Sequence, residues 1–305
     1  MPSSGQTGRS SPQQLLVLFK FDRLALIFPG WLAFMFYLPT LSHGFVWDDR
    51  TFLLDTPYLR DPEMWLQQLA QPLFVSQNYF RPLPMLSFII EARLGELNAS
   101  VFHLTNIILH AINTSLLVWL ARRLLPGSGR LAAVAGLIYG LHPALVENVA
   151  WISDRFDLMM VLFVLLTLVS VSSDASIRRR SVGVAVLSLC ALLSKESAVV
   201  LLVILPLWWI LITDSTRSAR QFAEAAWKSD FLPLGAGLLL GMAAYLLLRL
   251  SVLSHYYQND SIMSAGSALQ HVLLVAKTIG WYVGLAVWPF GQMNPTHPAV
   301  TPCRA

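Results

Sequence analysis

Long apolar runs separated by short polar motifs are the feature that most constrains this chain. A helix that spans a bilayer needs roughly 17–25 mainly apolar residues. The chain has 305 residues, of which 55% are hydrophobic and only 12% are charged, and this is too apolar for soluble domains. We therefore predict an all-α, polytopic membrane helical bundle of about eight spans. The spans are Leu24–Leu41, Phe102–Leu125, Leu131–Leu141, Leu158–Ser172, Val182–Leu193, Ala198–Thr213, Phe231–Leu250 and about Leu269–Phe290.

The positions of Lys and Arg predict which way the bundle faces. Basic residues concentrate in cytoplasmic loops, and here they cluster in the N-terminal segment, at Arg122–Arg123 and at Arg178–Arg180. These clusters fall on one side of the predicted spans, so we assign that side to the cytoplasm. The resulting organisation is a cytoplasmic tail over residues 1–23, a signal-anchor span over 24–41, an extracytoplasmic loop with surface helices over 42–101, a transmembrane bundle over 102–290 and a C-terminal tail over 291–305.

Two adjacent carboxylates, Asp48 and Asp49, follow the first span on its extracytoplasmic side. Two like charges at the edge of a bilayer are costly to ionise together, and a carboxylate held there is suited to accept a proton as a general base. The alternative is a charged interfacial turn in which Trp47 anchors the chain at the membrane surface. An Asp-Asp pair alone does not decide between the two.

A second polar motif, from His142 to Asp157, separates the third and fourth spans. Pro143 favours the first turn of a helix, and a continuous helix from there would bring Glu147 and Asp154, which are seven residues apart, onto one face. Charged groups beside such short spans are expected to line a hydrated cavity. The alternatives are an ion-pair network of Asp154, Arg155 and Asp157 that fixes a helix turn and, for the histidine, a hydrogen bond at the helix start. The group consists of His142, Glu147, Asp154, Arg155 and Asp157.

Lys195 and Glu196 interrupt the apolar stretch 182–213, so both are predicted to lie at bilayer depth. A lysine there is suited to bind a lipid phosphate, whereas the alternative is a self-contained Lys195–Glu196 pair. Arg81, which follows two aromatic residues, is a candidate ligand for a phosphate or a sugar, or else a residue at a helix start. The sequence carries no metal-binding signature, so no metal site is predicted. Whether a divalent cation assists is left open.

In this order the motifs resemble the membrane half of the transmembrane and TPR-containing O-mannosyltransferase family and its bacterial relatives, within the GT-C glycosyltransferase superfamily. The resemblance runs from about Pro39 to Leu202. It implies a GT-C-like bundle with its active site on the extracytoplasmic face, a polyprenyl-phosphate sugar as donor, and Asp48 or Asp49 as the acidic residue that serves as base. The matching pieces are Phe45-Val46-Trp47-Asp48-Asp49, Tyr79-Phe80-Arg81-Pro82-Leu83, His142-Pro143 with Glu147, Arg155 with Asp157-Leu158, and Lys195-Glu196.

The resulting prediction is a membrane glycosyltransferase. It transfers mannose or a similar hexose from a polyprenyl-phosphate donor to a hydroxyl on a protein or glycan acceptor at the extracytoplasmic face. A donor whose leaving group is a phosphate needs a base for the acceptor proton and cations for the departing phosphate. We assign Asp48 or Asp49 as base. The substrate-binding residues are Glu147, Asp157, His142 and Asp154, and the phosphate-binding residues are Arg155, Lys195 and Arg81.

Two other classes of function stay open at this point. A secondary transporter also carries charged residues within its spans, and a non-catalytic or truncated membrane subunit would fit a chain without TPR repeats. The sequence up to Ala305 contains no 34-residue repeat, which predicts a member that lacks the TPR region. For this reason we predict the bacterial inner membrane, with the endoplasmic reticulum as the alternative. Scattered basic residues form no face for a nucleic acid, so the expected partners are the lipid-linked donor, membrane lipid and the acceptor.

Overall fold

Each predicted apolar run carries a helix. The computed structural model describes residues 26–55, 57–59, 61–73, 79–95, 97–212, 230–254 and 268–289, and the predicted tails over 1–23 and 291–305 lie outside these ranges. The described part of the chain contains helices and no strand. The α-helices are α1 (residues 26–37), α2 (Trp65–Leu69), α3 (Pro82–Gly95), α4 (Ala99–Leu124), α5 (Gly129–Gly140), α6 (Val146–Ala150), α7 (Arg155–Val171), α8 (Ile177–Ser194), α9 (Leu201–Ile212), α10 (Phe231–Leu253) and α11 (Ala268–Val287).

Short helical segments lie between these helices; they are 3₁₀-helical except Arg50–Leu54, which is a π-helix. The linking segments are Leu38–Ser42, Arg50–Leu54, Pro57–Leu59, Pro62–Met64, Pro143–Leu145, Ile152–Asp154 and Glu196–Val200. Some helix ends differ from the prediction. Helix α4 begins at Ala99 because the side chain of Asn98 accepts a hydrogen bond from the backbone N–H of Ser100 at 3.0 Å, as an N-cap does. Helix α8 begins at Ile177, so Arg178–Arg180 lie inside its first turn instead of before it.

Two helices of the described residues, α4 and α10, are long and apolar enough to cross a membrane by length and composition. A third candidate is the pair formed by Gly129–Gly140 and Pro143–Ala150, which is bent by 50°. Leu26–Ser42, Glu196–Ile212 and Val272–Val287 are apolar but shorter. The structure is therefore that of an all-helical membrane protein, with fewer helices meeting the length criterion than the eight spans predicted.

The main apolar core lies where α7 and α8 pack between α4 and α10. It is closed by α9, whose Trp208 and Trp209 are buried. A second apolar cluster joins residues of the predicted first loop to the start of α4 and α7, and includes Leu53, Phe88, Phe102 and Ile152. Burial of apolar side chains is the main favourable term in folding. The loop is consequently a packed part of the protein, attached to the end of the bundle that carries the polar motifs.

Glycine allows α10 to approach α8 closely at Gly241. A Cβ atom there would lie under 3.0 Å from the backbone oxygen of Ala185. We expect Gly241→Ala to lower the free energy of unfolding by about 1–3 kcal/mol through overpacking. On the same helix, a Cβ on Gly235 would meet nothing within 4 Å. Gly235→Ala should therefore raise the free energy of unfolding by about 0.5–1 kcal/mol. Unfolding in lipid nanodiscs measures both, and equal responses would contradict the close approach.

Helix α11 belongs to a second compact unit, residues Gln258–Ala305, and is described by itself. Its backbone is helical from Ala268 to Val287. Lys277 lies within this helix.

Candidate functional site

The structure brings the predicted site residues to one end of the helices. This end contains the C-terminal side of α1, α5 and α8 and the N-terminal side of α4 and α7. Hydrogen bonds join these ends directly: the hydroxyl of Ser100 donates to the backbone oxygen of Leu41 at 2.7 Å. The arginine clusters occupy the other end, where Arg122 and Arg123 close α4 and Arg178–Arg180 begin α8.

The two adjacent aspartates have opposite environments. Asp49 is fully buried, and its carboxylate accepts hydrogen bonds from the backbone N–H and the hydroxyl of Ser153, at 2.8 and 2.6 Å, and from the backbone N–H of Val46 at 3.0 Å. Asp48 is exposed. Within the described residues no group donates a hydrogen bond to it or pairs with it. Asp49 thus fixes the turn, and Asp48 presents its carboxylate to solvent.

The turn that presents Asp48 has an unusual backbone. Trp47 has φ = 45°, in the left-handed region that bulky residues rarely adopt. The conformation is held by backbone hydrogen bonds from Asp49 to Val46 at 2.9 Å and from Arg50 to Trp47 at 3.1 Å. The Trp47 indole stays exposed and packs edge-on against Trp151, with ring centroids 5.6 Å apart. This turn is consequently attached to the 151–153 segment through both Trp47 and Asp49.

The segment from Pro143 to Asp157 is not the continuous helix that we predicted. It consists of Pro143–Leu145, α6 and Ile152–Asp154, and Trp151 between them is extended with φ = −92° and ψ = 118°. The side-chain amide of Asn106 donates to the backbone oxygens of Trp151 and Ile152 at 3.1 and 3.3 Å. These bonds satisfy carbonyl groups where the helix is broken. Glu147 and Asp154 therefore do not share the face of one helix.

Arg155 is buried completely, beneath the site. Its guanidinium donates to the carboxylate of Glu91 at 2.7 Å, to the side-chain oxygen of Asn106 at 2.8 Å, to the hydroxyl of Ser87 at 3.0 Å and to the backbone oxygen of Phe102 at 2.7 Å. The ion pair with Glu91 replaces the predicted alternative of a network with Asp154 and Asp157. Protein groups therefore bind the guanidinium that was predicted to bind a phosphate.

Asp154, Asp157 and Lys195 form a connected group of charged side chains. The ammonium of Lys195 donates to the carboxylate of Asp157 at 2.5 Å, and the amide of Asn148 donates to Asp154 at 2.6 Å. Burial, followed by the negative charge and the hydrogen bond of Asp157, raises the pKa of Asp154 to about 8. A carboxyl with this pKa is protonated at neutral pH, and it donates a hydrogen bond to Asp157, which also accepts one from Lys195.

Glu196 pairs with Arg81, and not with its neighbour Lys195. The guanidinium of Arg81 donates to one carboxylate oxygen of Glu196 through two nitrogens, at 2.9 and 2.8 Å. It also lies over the rings of Tyr79 and Phe156, at 4.4 and 5.1 Å from their centroids. The self-contained Lys195–Glu196 pair is thus absent from this part of the structure, and the two residues connect α8 to the starts of α7 and α3 respectively.

The remaining predicted residues lie at the same end. His142 accepts a hydrogen bond from the backbone N–H of Ala144 at 3.2 Å, which makes it the cap of Pro143–Leu145, as the alternative for this residue predicted. Glu147 is exposed on α6, within electrostatic reach of Asp154. Across the described residues, no group of three or more His, Cys, Asp or Glu is arranged to hold a metal ion.

Arg249 is a cation that sequence reasoning missed. It lies one turn before the end of α10, and its guanidinium donates to the hydroxyl of Tyr245 at 3.5 Å. Tyr245 is in turn within electrostatic reach of Arg81 and Glu196. The sequence could have indicated this residue, because an arginine in so apolar a helix is energetically costly unless it is paired or functional.

Curated proteins similar to this chain share one description. The chain is 35% identical over 182 residues to protein O-mannosyl-transferase Tmtc1 of Drosophila melanogaster, a match that covers 57% of the chain and 21% of that protein. It is 32% identical over 219 residues to protein O-mannosyl-transferase TMTC2 of Mus musculus, a match that covers 67% of the chain and 26% of that protein. It is 33% identical over 206 residues to protein O-mannosyl-transferase Tmtc2 of Drosophila melanogaster, a match that covers 62% of the chain and 22% of that protein.

The matches extend over roughly a quarter of the length of these relatives. All three are animal proteins, so they give no support to the predicted bacterial membrane. No family model matches the chain. No solved structure matches it either.

Proposed function

Because this chain belongs to the TMTC protein O-mannosyl-transferase family, whose membrane part it matches, we propose that it is a membrane glycosyltransferase. The substrate of the proposed reaction is mannose or a similar hexose on a polyprenyl phosphate, and the acceptor is a hydroxyl group at the extracytoplasmic face. The observation that carries this proposal is the exposed carboxylate of Asp48, at the same end of the bundle as the cations Lys195 and Arg81.

Asp48 is the proposed base. Proton transfer requires a carboxylate that a substrate hydroxyl can reach, and Asp48 is exposed whereas Asp49 is buried and occupied by Ser153 and Val46. Asp48 accepts the proton of the acceptor hydroxyl, and the oxygen of that hydroxyl attacks the anomeric carbon of the sugar. The bond from that carbon to the phosphate oxygen breaks, and the polyprenyl phosphate departs. Asp49 is a positioning residue that holds the turn of Asp48.

Lys195 and Arg81 are the proposed phosphate ligands. Both side chains are partly exposed, by 27% and 13%, and each is paired with a carboxylate on another helix. Such pairing orients a cation before the substrate arrives, and fixed cations stabilise the charge that develops on a departing phosphate. Arg249 extends this positive region along α10. The apolar faces of the surrounding helices provide the environment that a prenyl chain requires.

Glu147, Asp154, Asp157 and His142 are the proposed contacts to the sugar or the acceptor. Carboxylates accept hydrogen bonds from sugar hydroxyls. Glu147 is exposed and therefore accessible. Asp157 and Asp154 connect this region to Lys195, so that contacts to the sugar and to the phosphate belong to one network.

We also propose that α7 and α8 cross the membrane. Both pack side by side between α4 and α10, the two helices that meet the length criterion, and they have 17 and 18 residues. The arginines at the far end of the bundle support a cytoplasmic location for that end and for the N-terminus. The predicted total of eight spans remains part of this proposal.

Removal of the Lys195 charge should weaken binding of the donor. We expect Lys195→Met to raise the KM for polyprenyl-phosphate mannose about 10-fold to 100-fold, because a hydrogen bond to a charged group contributes roughly 1.5–3 kcal/mol. The control is Arg178→Met, which removes an exposed charge at the opposite end of the bundle. The measurement is the steady-state KM for the donor in nanodiscs. Equal KM values for the two variants would contradict the assignment of Lys195 as a phosphate ligand.

The raised pKa of Asp154 predicts a dependence on pH. Below its pKa of about 8, Asp154 is neutral, and the charges of Asp157 and Lys195 cancel. Above that value Asp154 ionises and the group becomes negative, which repels the donor phosphate. We expect the KM for the donor to rise roughly threefold to tenfold between pH 7 and pH 9. Asp154→Asn should abolish this rise, and a rise that persists in the variant would refute the explanation.

A further inference from the structure

Among the described residues, three neighbouring side chains of α1 and α4 each bury a polar atom that has no hydrogen-bond partner. These atoms are the hydroxyl oxygen of Tyr37, Nδ1 of His110 and the side-chain oxygen of Asn113. The exposed fractions of these residues are 2%, 1% and 0%. A buried polar atom that makes no hydrogen bond costs about 1–3 kcal/mol, so three of them together need a physical explanation.

The bonds that these side chains do make define what each free atom can do. Nε2 of His110 lies 2.9 Å from the backbone oxygen of Gly140. A carbonyl only accepts, so Nε2 carries the hydrogen and Nδ1 of the neutral ring is an acceptor. The amide nitrogen of Asn113 donates to the backbone oxygen of Leu158 at 2.9 Å, which leaves the side-chain oxygen as a second acceptor. The hydroxyl of Tyr37 remains as a donor.

These residues come from two neighbouring helices, α1 and α4. The rings of Tyr37 and His110 meet edge to face with their centroids 5.2 Å apart. Asn113 lies one turn beyond His110 on α4, on an adjoining part of the same surface. Tyr37 packs in one apolar cluster with Leu158, the residue whose carbonyl Asn113 binds.

The helices pack closely beside His110. A Cβ on Gly140, whose backbone oxygen binds Nε2 of His110, would lie about 3 Å from the side chains of Thr114 and Ala33. The group that satisfies the free atoms is therefore small. It must donate two hydrogen bonds and accept one, and a water molecule does so.

We propose that a buried water molecule binds among Tyr37, His110 and Asn113. It donates to Nδ1 of His110 and to the side-chain oxygen of Asn113, and it accepts from the hydroxyl of Tyr37. Through Asn113 and Leu158 it connects α1 and α4 to the start of α7. Its location places a polar connection between the helix that leads to Asp48 and the helix that begins next to Asp154. The proposal is independent of the transferase activity.

Tyr37→Phe tests the water by the sign of its effect on the melting temperature of the full chain in nanodiscs. If the water is bound, the variant removes one of its partners, and the melting temperature should fall by about 2–4 °C. If the site is dry, the variant removes an unpaired buried hydroxyl, and the melting temperature should rise. Tyr282→Phe is the matched control, because Tyr282 is half exposed on α11 and the variant should leave the melting temperature unchanged.

The double variant provides a second measurement. Tyr37→Phe and Asn113→Leu affect the same water, so the two losses in melting temperature should sum to more than the loss of the double variant. Additive losses, or a rise with Tyr37→Phe alone, would overturn the proposal.

Discussion

Asp48→Asn should lose mannose transfer by about 10²-fold to 10⁴-fold in kcat, which is the usual contribution of a general base. Asparagine has nearly the same shape but cannot take the proton of the acceptor hydroxyl. Because Asp48 is exposed and none of the described residues pairs with it, the variant should unfold at the same temperature as the unmodified protein. The measurement is kcat for transfer from polyprenyl-phosphate mannose, together with a melting curve.

Asp49→Asn is the control for this prediction. Asp49 accepts hydrogen bonds from Ser153 and Val46 while fully buried, and an amide would direct donor hydrogens towards some of those donors. The expected result is a loss of about 1–3 kcal/mol in the free energy of unfolding. If Asp49→Asn abolished transfer at an unchanged melting temperature while Asp48→Asn remained active, the roles of the two aspartates would be reversed.

Arg155→Leu should destabilise the protein by about 3–5 kcal/mol, the largest stability effect that we expect. The substitution leaves the Glu91 carboxylate without its ion pair in a site where only 9% of that side chain is exposed. Breaking a buried pair costs more than removing both members, because one charge remains without compensation. Loss of the cation also removes the contacts that Arg155 makes over the rings of Phe88 and Phe102. Reversible unfolding in detergent measures the change.

A second variant separates the uncompensated charge from the loss of packing. Arg155→Leu combined with Glu91→Leu should recover part of the stability. The exposed Arg178→Leu should change the free energy of unfolding by no more than about 0.5 kcal/mol. A loss below about 1 kcal/mol for Arg155→Leu would show that Arg155 does not hold the loop helices to the bundle.

The sequence was sufficient for the helices and for the end of the bundle at which the motifs meet. Apolar runs predict helices because burial of apolar surface drives folding. The break at Trp151 could not be predicted from local signals, since Pro143 favours a helix start and the group that satisfies the carbonyls at the break is Asn106, 45 residues away. A contact between distant residues decided the local backbone.

The roles of the charged residues show the same limit. Asp48 and Asp49 are chemically identical and adjacent, and only the contact of Asp49 with Ser153, 104 residues later, distinguishes them. Arg155 was assigned by its charge to the phosphate, but its partner Glu91 belongs to α3. The sequence indicates that a charged residue in an apolar chain has a structural or functional role. The three-dimensional contacts show which of the two roles it has.

Transfer from a lipid-linked donor is the most direct test of the proposed function. The full chain in nanodiscs is supplied with polyprenyl-phosphate mannose, radiolabelled in the sugar, and with a peptide that contains serine and threonine. We expect labelled peptide and free polyprenyl phosphate in equal amounts, and no labelled peptide when a nucleotide-linked mannose replaces the donor. Label that stays on the lipid, or that appears in the peptide equally from the nucleotide donor, would contradict the proposal.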